Sequence, residues 1–237
     1  MASTTIASTI VRSAILKTTA AARPAPSLFT YPGLRSQPFW RVDDLPDGAL
    51  IRAMFADRAQ LLAEYRTLAS ASAAGDYALT PGETKLHKGT WTWHSALVKG
   101  AFVPTFALAA PTTAAHLQRM PGLLTGVPFS YAFFSSLASG AAISPHHGPA
   151  NLRLRVHIPL SIPEGDCGIR VAGEARAWDC EGGPLVFDDS YEHETWNRCS
   201  VERVVLLFDV WHPDLSMAER EAVCAMFREA RRSGWLS

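Results

Sequence analysis

The 237-residue chain lacks the features that mark several large classes of protein. Its 22 basic and 22 acidic residues cancel, so no net charge favours nucleic acid or a membrane surface as a partner. No apolar run approaches the roughly 20 residues that span a bilayer, so we expect a soluble protein. The G-x-S-x-G, P-loop and G-x-G-x-x-G motifs are also absent, which argues against the commonest hydrolases, kinases and dehydrogenases.

Cysteine is scarce, with four residues and no C-x-x-C pair. Such spacing supports neither a disulfide scaffold nor a zinc site built on cysteine pairs. We therefore expect free and mostly buried thiols at Cys167, Cys180, Cys199 and Cys224.

Acidic residues are missing from the first 42 positions, where arginine and lysine are scattered among many Ser, Thr and Ala residues. This composition is typical of an organellar transit peptide, and the alternative is an N-terminal arm or first helix of the domain itself. We predict an arm or transit segment over residues 1–30 and a single domain over residues 31–237. The protein would then be cytoplasmic or organellar.

Hydrophobic periodicity predicts a mainly β domain with flanking helices. Apolar residues at helical spacing predict helices over residues 49–70, where the helix should cover a sheet, and 111–124. A capping box at Ser216–Glu219 predicts a final helix that stops at Gly234, and its buried stripe should comprise Met217, Val223, Met226 and Phe227. Short apolar runs between Gly, Pro and Asp predict strands at about 129–137, 152–160, 167–173, 184–188 and 202–211.

The strand predicted over residues 152–160 alternates strictly between apolar and polar positions. Its polar positions begin with Arg153, Arg155 and His157, and no acidic residue lies among them. Alternation with period two is typical of a strand with one buried face, and a cationic second face favours an anion as its partner. The alternative is a solvated face whose arginines pair with Asp or Glu on a neighbouring strand.

Two histidines, His146 and His193, stand at the edges of predicted strands and are 47 positions apart. In a β-barrel, residues at such edges can converge at one mouth despite their separation in sequence. Two converging imidazoles would bind a divalent transition metal such as Fe(II) or Zn(II). The alternative is that each is a surface histidine or a hydrogen-bonded core histidine.

Arg203 directly precedes an apolar run at residues 204–208, which is predicted to be a strand. A guanidinium on a strand that enters the core needs a carboxylate or phosphate partner, because an unpaired buried charge is costly. Together with Arg155 and His157, it would form a cationic pocket beside the metal.

Three segments carry a resemblance to a known family. They are Pro145-His-His-Gly-Pro-Ala-Asn-Leu-Arg-Leu-Arg-Val-His157, Phe187-Asp-Asp-Ser-Tyr-Glu-His-Glu-Thr-Trp196, and Asp209-Val-Trp-His-Pro213 with Arg203 ahead of it. They resemble the aspartyl/asparaginyl β-hydroxylases, which are iron- and 2-oxoglutarate-dependent oxygenases with a double-stranded β-helix (jelly-roll or cupin-like) core. The resemblance is specific over residues 135–213 and weak over 79–128.

The resemblance implies a role for each matching residue. His146 and His193 would be the catalytic iron ligands, and Gly148 would stand where most 2-oxoglutarate oxygenases carry a third, carboxylate ligand. The neighbouring His147 has no assigned role. The resemblance also implies that 2-oxoglutarate is bound by Ser135, Arg155, His157 and Arg203, and that Arg153 binds a substrate carboxylate.

The resemblance predicts an Fe(II)- and 2-oxoglutarate-dependent dioxygenase that uses O2, releases succinate and CO2, and hydroxylates an unactivated C–H bond. The expected substrate is an aspartyl, asparaginyl or related carboxylate-bearing group, either as a small molecule or as an amino acid held in a peptide or on a carrier. Two alternatives stay open: a non-catalytic β-helix module that binds an anion, and a zinc-dependent cupin-like enzyme that uses the same two histidines. The oligomeric state is left open.

Overall fold

The structure is a computed structural model that describes residues 24–77 and 86–234. Most of the predicted arm over residues 1–30 lies outside these ranges, so the choice between an arm and a transit segment stays a prediction. Within the described ranges, no helix is long and apolar enough to cross a membrane.

The described residues form twelve strands and five α-helices. The strands are Phe39–Trp40 (β1), His87–Lys88 (β2), Trp91–Val98 (β3), Ala101–Phe102 (β4), Ala132–Leu137 (β5), Ala142–His146 (β6), Arg153–Ser161 (β7), Cys167–Val171 (β8), Glu174–Ala177 (β9), Leu185–Phe187 (β10), His193–Asn197 (β11) and Arg203–Trp211 (β12). The helices are Gly48–Ala56 (α1), Arg58–Ala71 (α2), Phe106–Ala109 (α3), Pro111–Gln118 (α4) and Met217–Arg232 (α5).

The strands form two antiparallel sheets, with the orders β1-β10-β7-β12-β5-β3-β4 and β2-β6-β11-β8-β9. From β5 onward the chain winds between them: β5, β7, β10 and β12 belong to the larger sheet, and β6, β8, β9 and β11 to the smaller one. Eight strands that wind between two packed sheets in this order form a double-stranded β-helix. The predicted fold class, a β-helix core with flanking helices, is confirmed.

The strand β7 lies in the middle of the larger sheet, between β10 and β12, and both of its faces are buried. Its apolar positions, such as Val156, pack with α1, α2 and α4 in the main hydrophobic core. Its polar positions face the space between the two sheets, where Phe133, Ile169 and Leu207 form a second core. The alternation was therefore predicted correctly, but the polar face is an interior surface and not a solvated one.

The helix predicted over residues 49–70 does cover the larger sheet, but it is broken at Asp57 into α1 and α2. Asp57 ends the first helix and begins the second, and its carboxylate lies 2.8 Å from His116 Nε2 on α4. A tertiary contact at this position is a physical reason for the break that local hydrophobic periodicity does not reveal. The helix predicted over 111–124 ends earlier, at Gln118.

The final helix, α5, has the predicted capping box, in which Ser216 and Glu219 bond reciprocally. Val223 and Phe227 are buried, as predicted, but Met217 is 65% exposed and does not belong to the buried stripe. Because Met217 is the first residue of the helix, it lies beyond the edge of the surface that the helix covers. All four cysteines are free, as predicted, although only Cys167 is fully buried.

Three strands of the β-helix, β6, β9 and β11, were not predicted from hydrophobic patterns. The two that carry the histidines, β6 and β11, contain Ser, Pro, Glu, Thr and Asn, so neither has an apolar run. They are strands because neighbours in the smaller sheet supply their hydrogen-bonding partners.

Candidate active site

The two histidines predicted to bind metal lie side by side in the smaller sheet. His146 is the last residue of β6 and His193 the first of β11, and the two are paired across the antiparallel strands. Their ring centroids are 4.1 Å apart. Strand pairing thus brings together two imidazoles that are separated by most of the β-helix in sequence.

Hydrogen bonds orient both rings in the same way. His146 Nδ1 lies 2.8 Å from the carbonyl oxygen of Ser144, and His193 Nδ1 lies 3.0 Å from that of Tyr191. A carbonyl oxygen only accepts, so each Nδ1 carries the proton and each Nε2 keeps a free lone pair. This is the tautomer of a metal-binding histidine whose second nitrogen is held by the backbone.

The electrostatic surroundings keep both imidazoles neutral. Burial, together with the neighbouring His146, lowers the pKa of His193 to about 3. Burial also lowers the pKa of His146. A neutral ring with a free Nε2 is the form that coordinates a metal ion, so the pair fits a divalent transition metal.

Gly148 lies against a buried carboxylate. A Cβ atom built on Gly148 would overlap the Asp189 carboxylate, and the Gly148 amide donates to the Asp189 carbonyl oxygen. A carboxylate side chain at position 148 would not fit. Within the described residues, no group of three or more His, Cys, Asp or Glu side chains is arranged to hold a metal ion. A metal here would therefore have two protein ligands.

His147 makes the same type of backbone hydrogen bond as His146, but His193 is paired with His146. His147 Nδ1 lies 3.1 Å from the carbonyl oxygen of Ser190, outside the ring contact between His146 and His193. This geometry favours His146 over His147 as the partner of His193.

A second set of predicted residues converges beneath the histidine pair. Arg203, at the start of β12, is 1% exposed, and its Nη1 lies 3.3 Å from both the carbonyl and the hydroxyl oxygen of Ser135 on β5. In the described part of the chain, Arg203 forms no ion pair with any carboxylate, and its Nε has no hydrogen-bonding partner. Burial lowers its pKa to about 10.

His157 on β7 lies beside this arginine. Its Nε2 is buried and has no hydrogen-bonding partner in the described residues, and its ring lies 5.1 Å from that of Phe187. Phe187 in turn lies 5.6 Å from the ring of His193, so one aromatic side chain separates the two sets of residues. Burial lowers the pKa of His157 well below its usual value, and the charge of Arg203 adds to this effect.

Two tryptophans that were not predicted complete the pocket. Trp91 donates its indole N–H to Ser135 Oγ at 2.9 Å, and Trp178 donates to His157 Nδ1 at 3.0 Å. The Trp178 ring also packs against the Arg203 guanidinium, 4.7 Å from its centroid. Arg203, Ser135 and His157 therefore form a buried cationic pocket with free donors, which we call the donor pocket. It needs an anion to offset the charge of Arg203.

Arg153 and Arg155 lie in very different surroundings, because two buried aspartates pair with them. Arg153 binds the Asp189 carboxylate, lies 2.9 Å from the Asp209 carboxylate, and donates to the Phe129 carbonyl oxygen. Arg155 Nε lies 2.9 Å from Asp209, and its Nη1 lies 3.5 Å from Asp189. We call these four side chains the ion cluster.

The charges in the ion cluster stabilise one another. Burial alone would lower the pKa of Arg153, but the charges of Asp189 and Asp209 outweigh it and raise the pKa above its usual value. Burial would raise the pKa of Asp189, but the two arginines hold it well below its usual range. The alternative considered from the sequence was a solvated face whose arginines pair with Asp or Glu on a neighbouring strand. The structure shows the pairing, but the face and its partners are buried. The substrate role of Arg153 stays a prediction.

Comparison with known proteins identifies the family. A profile described as aspartyl/asparaginyl beta-hydroxylase matches residues 56–213. The chain belongs to this family. The description of the profile agrees with the resemblance in the sequence, and the donor pocket and the histidine pair both lie on strands within the matched range.

Individual proteins are also similar to this chain. The human aspartyl/asparaginyl beta-hydroxylase is 34% identical over 200 residues, covering 84% of this chain and 26% of that protein. The ornithine lipid ester-linked acyl 2-hydroxylase of Rhizobium tropici is 42% identical over 107 residues, covering 44% of this chain and 36% of that protein. The Pseudomonas putida prolyl-4-hydroxylase structure superimposes with a TM-score of 0.39 at 16% identity, covering 66% of this chain and 87% of that one. The chain thus spans about a quarter of the length of the human relative.

Proposed function

We propose that this chain is an Fe(II)- and 2-oxoglutarate-dependent hydroxylase, with iron held by His146 and His193 and 2-oxoglutarate held in the donor pocket. The single observation that carries the proposal is Arg203. It is a buried guanidinium without a carboxylate partner among the described residues, one phenylalanine ring away from two neutral, backbone-oriented imidazoles. A metal site next to an unneutralised buried cation fits a ligand that both chelates metal and carries a second negative charge.

The donor pocket fits one carboxylate of 2-oxoglutarate. Arg203 supplies the charge, and it can offer its unpartnered Nε–H. The Ser135 hydroxyl already accepts from Trp91, so its own proton is free to be donated. Arg155 borders the pocket with its charge balanced by Asp209, and we propose that it contributes electrostatically to the same ligand.

The chemistry that bound iron would supply is the activation of dioxygen, by which 2-oxoglutarate becomes succinate and CO2 and one C–H bond of the substrate becomes C–OH. The chain itself contributes binding and orientation. His146 and His193 keep their Nε2 lone pairs directed away from the backbone carbonyls that hold Nδ1, and the apolar ring of Phe187 contacts the rings of both His193 and His157.

The substrate class rests on the names of the relatives and on Arg153. Relatives are named for aspartyl and asparaginyl residues and for a lipid acyl chain, so we propose an amino-acid residue or a related carboxylate-bearing group as the substrate. Arg153 would bind its carboxylate only by sharing a guanidinium that Asp189 and Asp209 already hold. We therefore expect Arg153→Lys to weaken binding of an aspartyl peptide more than binding of 2-oxoglutarate. Equal weakening would remove Arg153 from the substrate role.

The test of the main proposal is succinate formation from 2-oxoglutarate by iron-loaded protein. We expect wild type to form succinate and His146→Ala to lose at least about a hundredfold in rate, because one of two protein ligands is gone. The matched control is His147→Ala, which removes the adjacent imidazole and should retain turnover. No succinate from wild type, or full activity in His146→Ala, would contradict the proposal. Zinc-dependent activity that iron does not replace would favour the cupin-like alternative.

A further inference from the structure

Trp178 is buried at the bottom of the donor pocket and contacts both of its basic side chains. It is 3% exposed and follows directly after β9, in a segment whose neighbours Arg176 and Ala177 are exposed. Its indole N–H donates to His157 Nδ1, and its ring packs against Arg203. Among the aromatic side chains that can donate a hydrogen bond, the indole is the one that offers a donor and no acceptor.

The hydrogen bond from Trp178 decides which nitrogen of His157 carries the proton. An indole N–H cannot accept, so His157 Nδ1 must be the bare, accepting nitrogen. The proton of the imidazole then lies on Nε2. That is the buried atom for which the described residues provide no partner, and it belongs to the donor pocket.

The opposite arrangement is found at the histidine pair. His146 and His193 each donate from Nδ1 to a backbone carbonyl oxygen and leave Nε2 without a proton. The same ring therefore serves as a lone-pair donor at two positions and as a proton donor at a third. The chemical identity of the Nδ1 partner, a carbonyl oxygen or an indole N–H, makes this difference.

We propose that Trp178 is a positioning residue that fixes His157 in the Nε2–H tautomer, so that an uncharged histidine donates a hydrogen bond to the carboxylate held by Arg203. This inference rests on the proposed function for the identity of the anion, 2-oxoglutarate. Trp178 touches neither the metal ligands nor the anion itself in this scheme. It acts through His157 and, by packing on the guanidinium, through Arg203.

The proposal explains why the donor pocket can be rich in donors without accumulating charge. A protonated imidazole beside Arg203 would place two cations in one buried space, which is costly. A neutral Nε2–H imidazole offers the same hydrogen bond without that cost. If the proton lay on Nδ1, the pocket would instead present a lone pair to the anion, and the two would repel each other.

The decisive measurement is the tautomer of His157 by ¹⁵N NMR of the imidazole in the ligand-free protein. We expect wild type to show a proton on Nε2 alone. In Trp178→Phe, which keeps a ring over Arg203 but removes the indole N–H, we expect a mixture of the two neutral tautomers. A matched control is Trp196→Phe, which removes an indole donor that binds the exposed Asp166 just before β8 and should leave the His157 signals unchanged. A wild-type signal with the proton on Nδ1 would overturn the proposal.

A binding measurement connects the tautomer to the ligand. In Zn(II)-loaded protein under nitrogen, we expect Trp178→Phe to bind 2-oxoglutarate about threefold to tenfold more weakly than wild type, with Trp196→Phe unchanged. In a His157→Gln background, the amide nitrogen donates from the same position whatever its neighbour is, so Trp178→Phe should have no further effect. An equal loss in both backgrounds would show that Trp178 acts through packing alone and would overturn the proposal.

The two measurements separate this inference from the proposed function. If wild type binds no 2-oxoglutarate, the proposed function fails, while the tautomer in the ligand-free protein still reports on Trp178. If wild type binds 2-oxoglutarate and Trp178→Phe changes neither tautomer nor affinity, the inference about Trp178 fails and the proposed function stands.

Discussion

Arg153 and Arg203 lie on neighbouring strands of the same sheet and point to the same interior face, yet their surroundings are opposite. Both are almost fully buried, at 2% and 1% exposure. Arg153 has two aspartate partners, whereas Arg203 has a serine, a tryptophan ring and no carboxylate among the described residues. The charge of the first is balanced within the protein, and the second requires a ligand. Buried arginines of equal exposure can therefore differ in function, and the difference is set by their neighbours.

The largest effect should come from removing a carboxylate from the ion cluster. Asp209→Asn keeps the shape of the side chain but removes one of the two negative charges. The positive charges of Arg153 and Arg155 are then balanced by Asp189 alone. Breaking a buried ion pair from one side costs about 3 to 5 kcal/mol, so we expect a loss of that order in the free energy of unfolding. Denaturant unfolding of the metal-free protein would measure it.

The matched control is Asp214→Asn, which removes a carboxylate from an ion pair with the exposed Arg35. Solvent screens that pair, so its loss should be much smaller. Equal losses in the two variants would show that the buried ion cluster contributes no more to stability than the exposed ion pair.

Asp188 should make stability depend on pH, because burial raises its pKa to about 7 from a usual value of 3.8. Between these two values the folded protein keeps a proton that the unfolded chain has released, so a rise in pH destabilises the folded state. Asp188→Asn removes this effect. Relative to wild type, we expect the free energy of unfolding of the variant to rise by up to about 1.4 kcal/mol for each pH unit between pH 4 and pH 7. Parallel stability curves for the two proteins would mean that Asp188 ionises normally.

The smallest of the three stability effects is expected at Arg203, and it is a gain. Arg203→Met removes a buried charge that has no carboxylate partner and fills the space with an apolar side chain. We expect the ligand-free protein to gain about 1 to 3 kcal/mol in free energy of unfolding and to lose 2-oxoglutarate binding. Arg153→Met is the matched variant, and it should be destabilised because two carboxylates lose their partner. Destabilisation of both would erase the distinction between the two arginines.

The sequence reveals the chemistry of β7 but not its neighbours. Alternation places Arg153, Arg155 and His157 on one face, and the structure confirms it. The aspartates that neutralise two of them lie 36 and 56 positions away from Arg153, on segments whose proximity depends on the winding of the whole β-helix. Local pattern therefore predicts a cationic face, whereas only tertiary structure shows which of its charges are balanced.

The histidine pair and Trp178 also could not be placed from local sequence patterns alone. The resemblance to the family indicates His146 and His193, although the strands that carry them have no apolar run and were not predicted. Trp178 gave no signal, since a single aromatic residue among exposed polar neighbours is common in loops.

Because His146 is paired with His193 across β6 and β11, the spacing of strands in the sheet sets the distance between the two rings. Neighbouring strands lie a fixed distance apart, so the separation of the imidazoles does not depend on how many residues connect them. Loops between the two strands can lengthen or shorten without altering the site. A deletion of one residue inside either strand would instead turn its histidine to the opposite face of the sheet. The arrangement is thus robust to change in the loops and fragile to change in register.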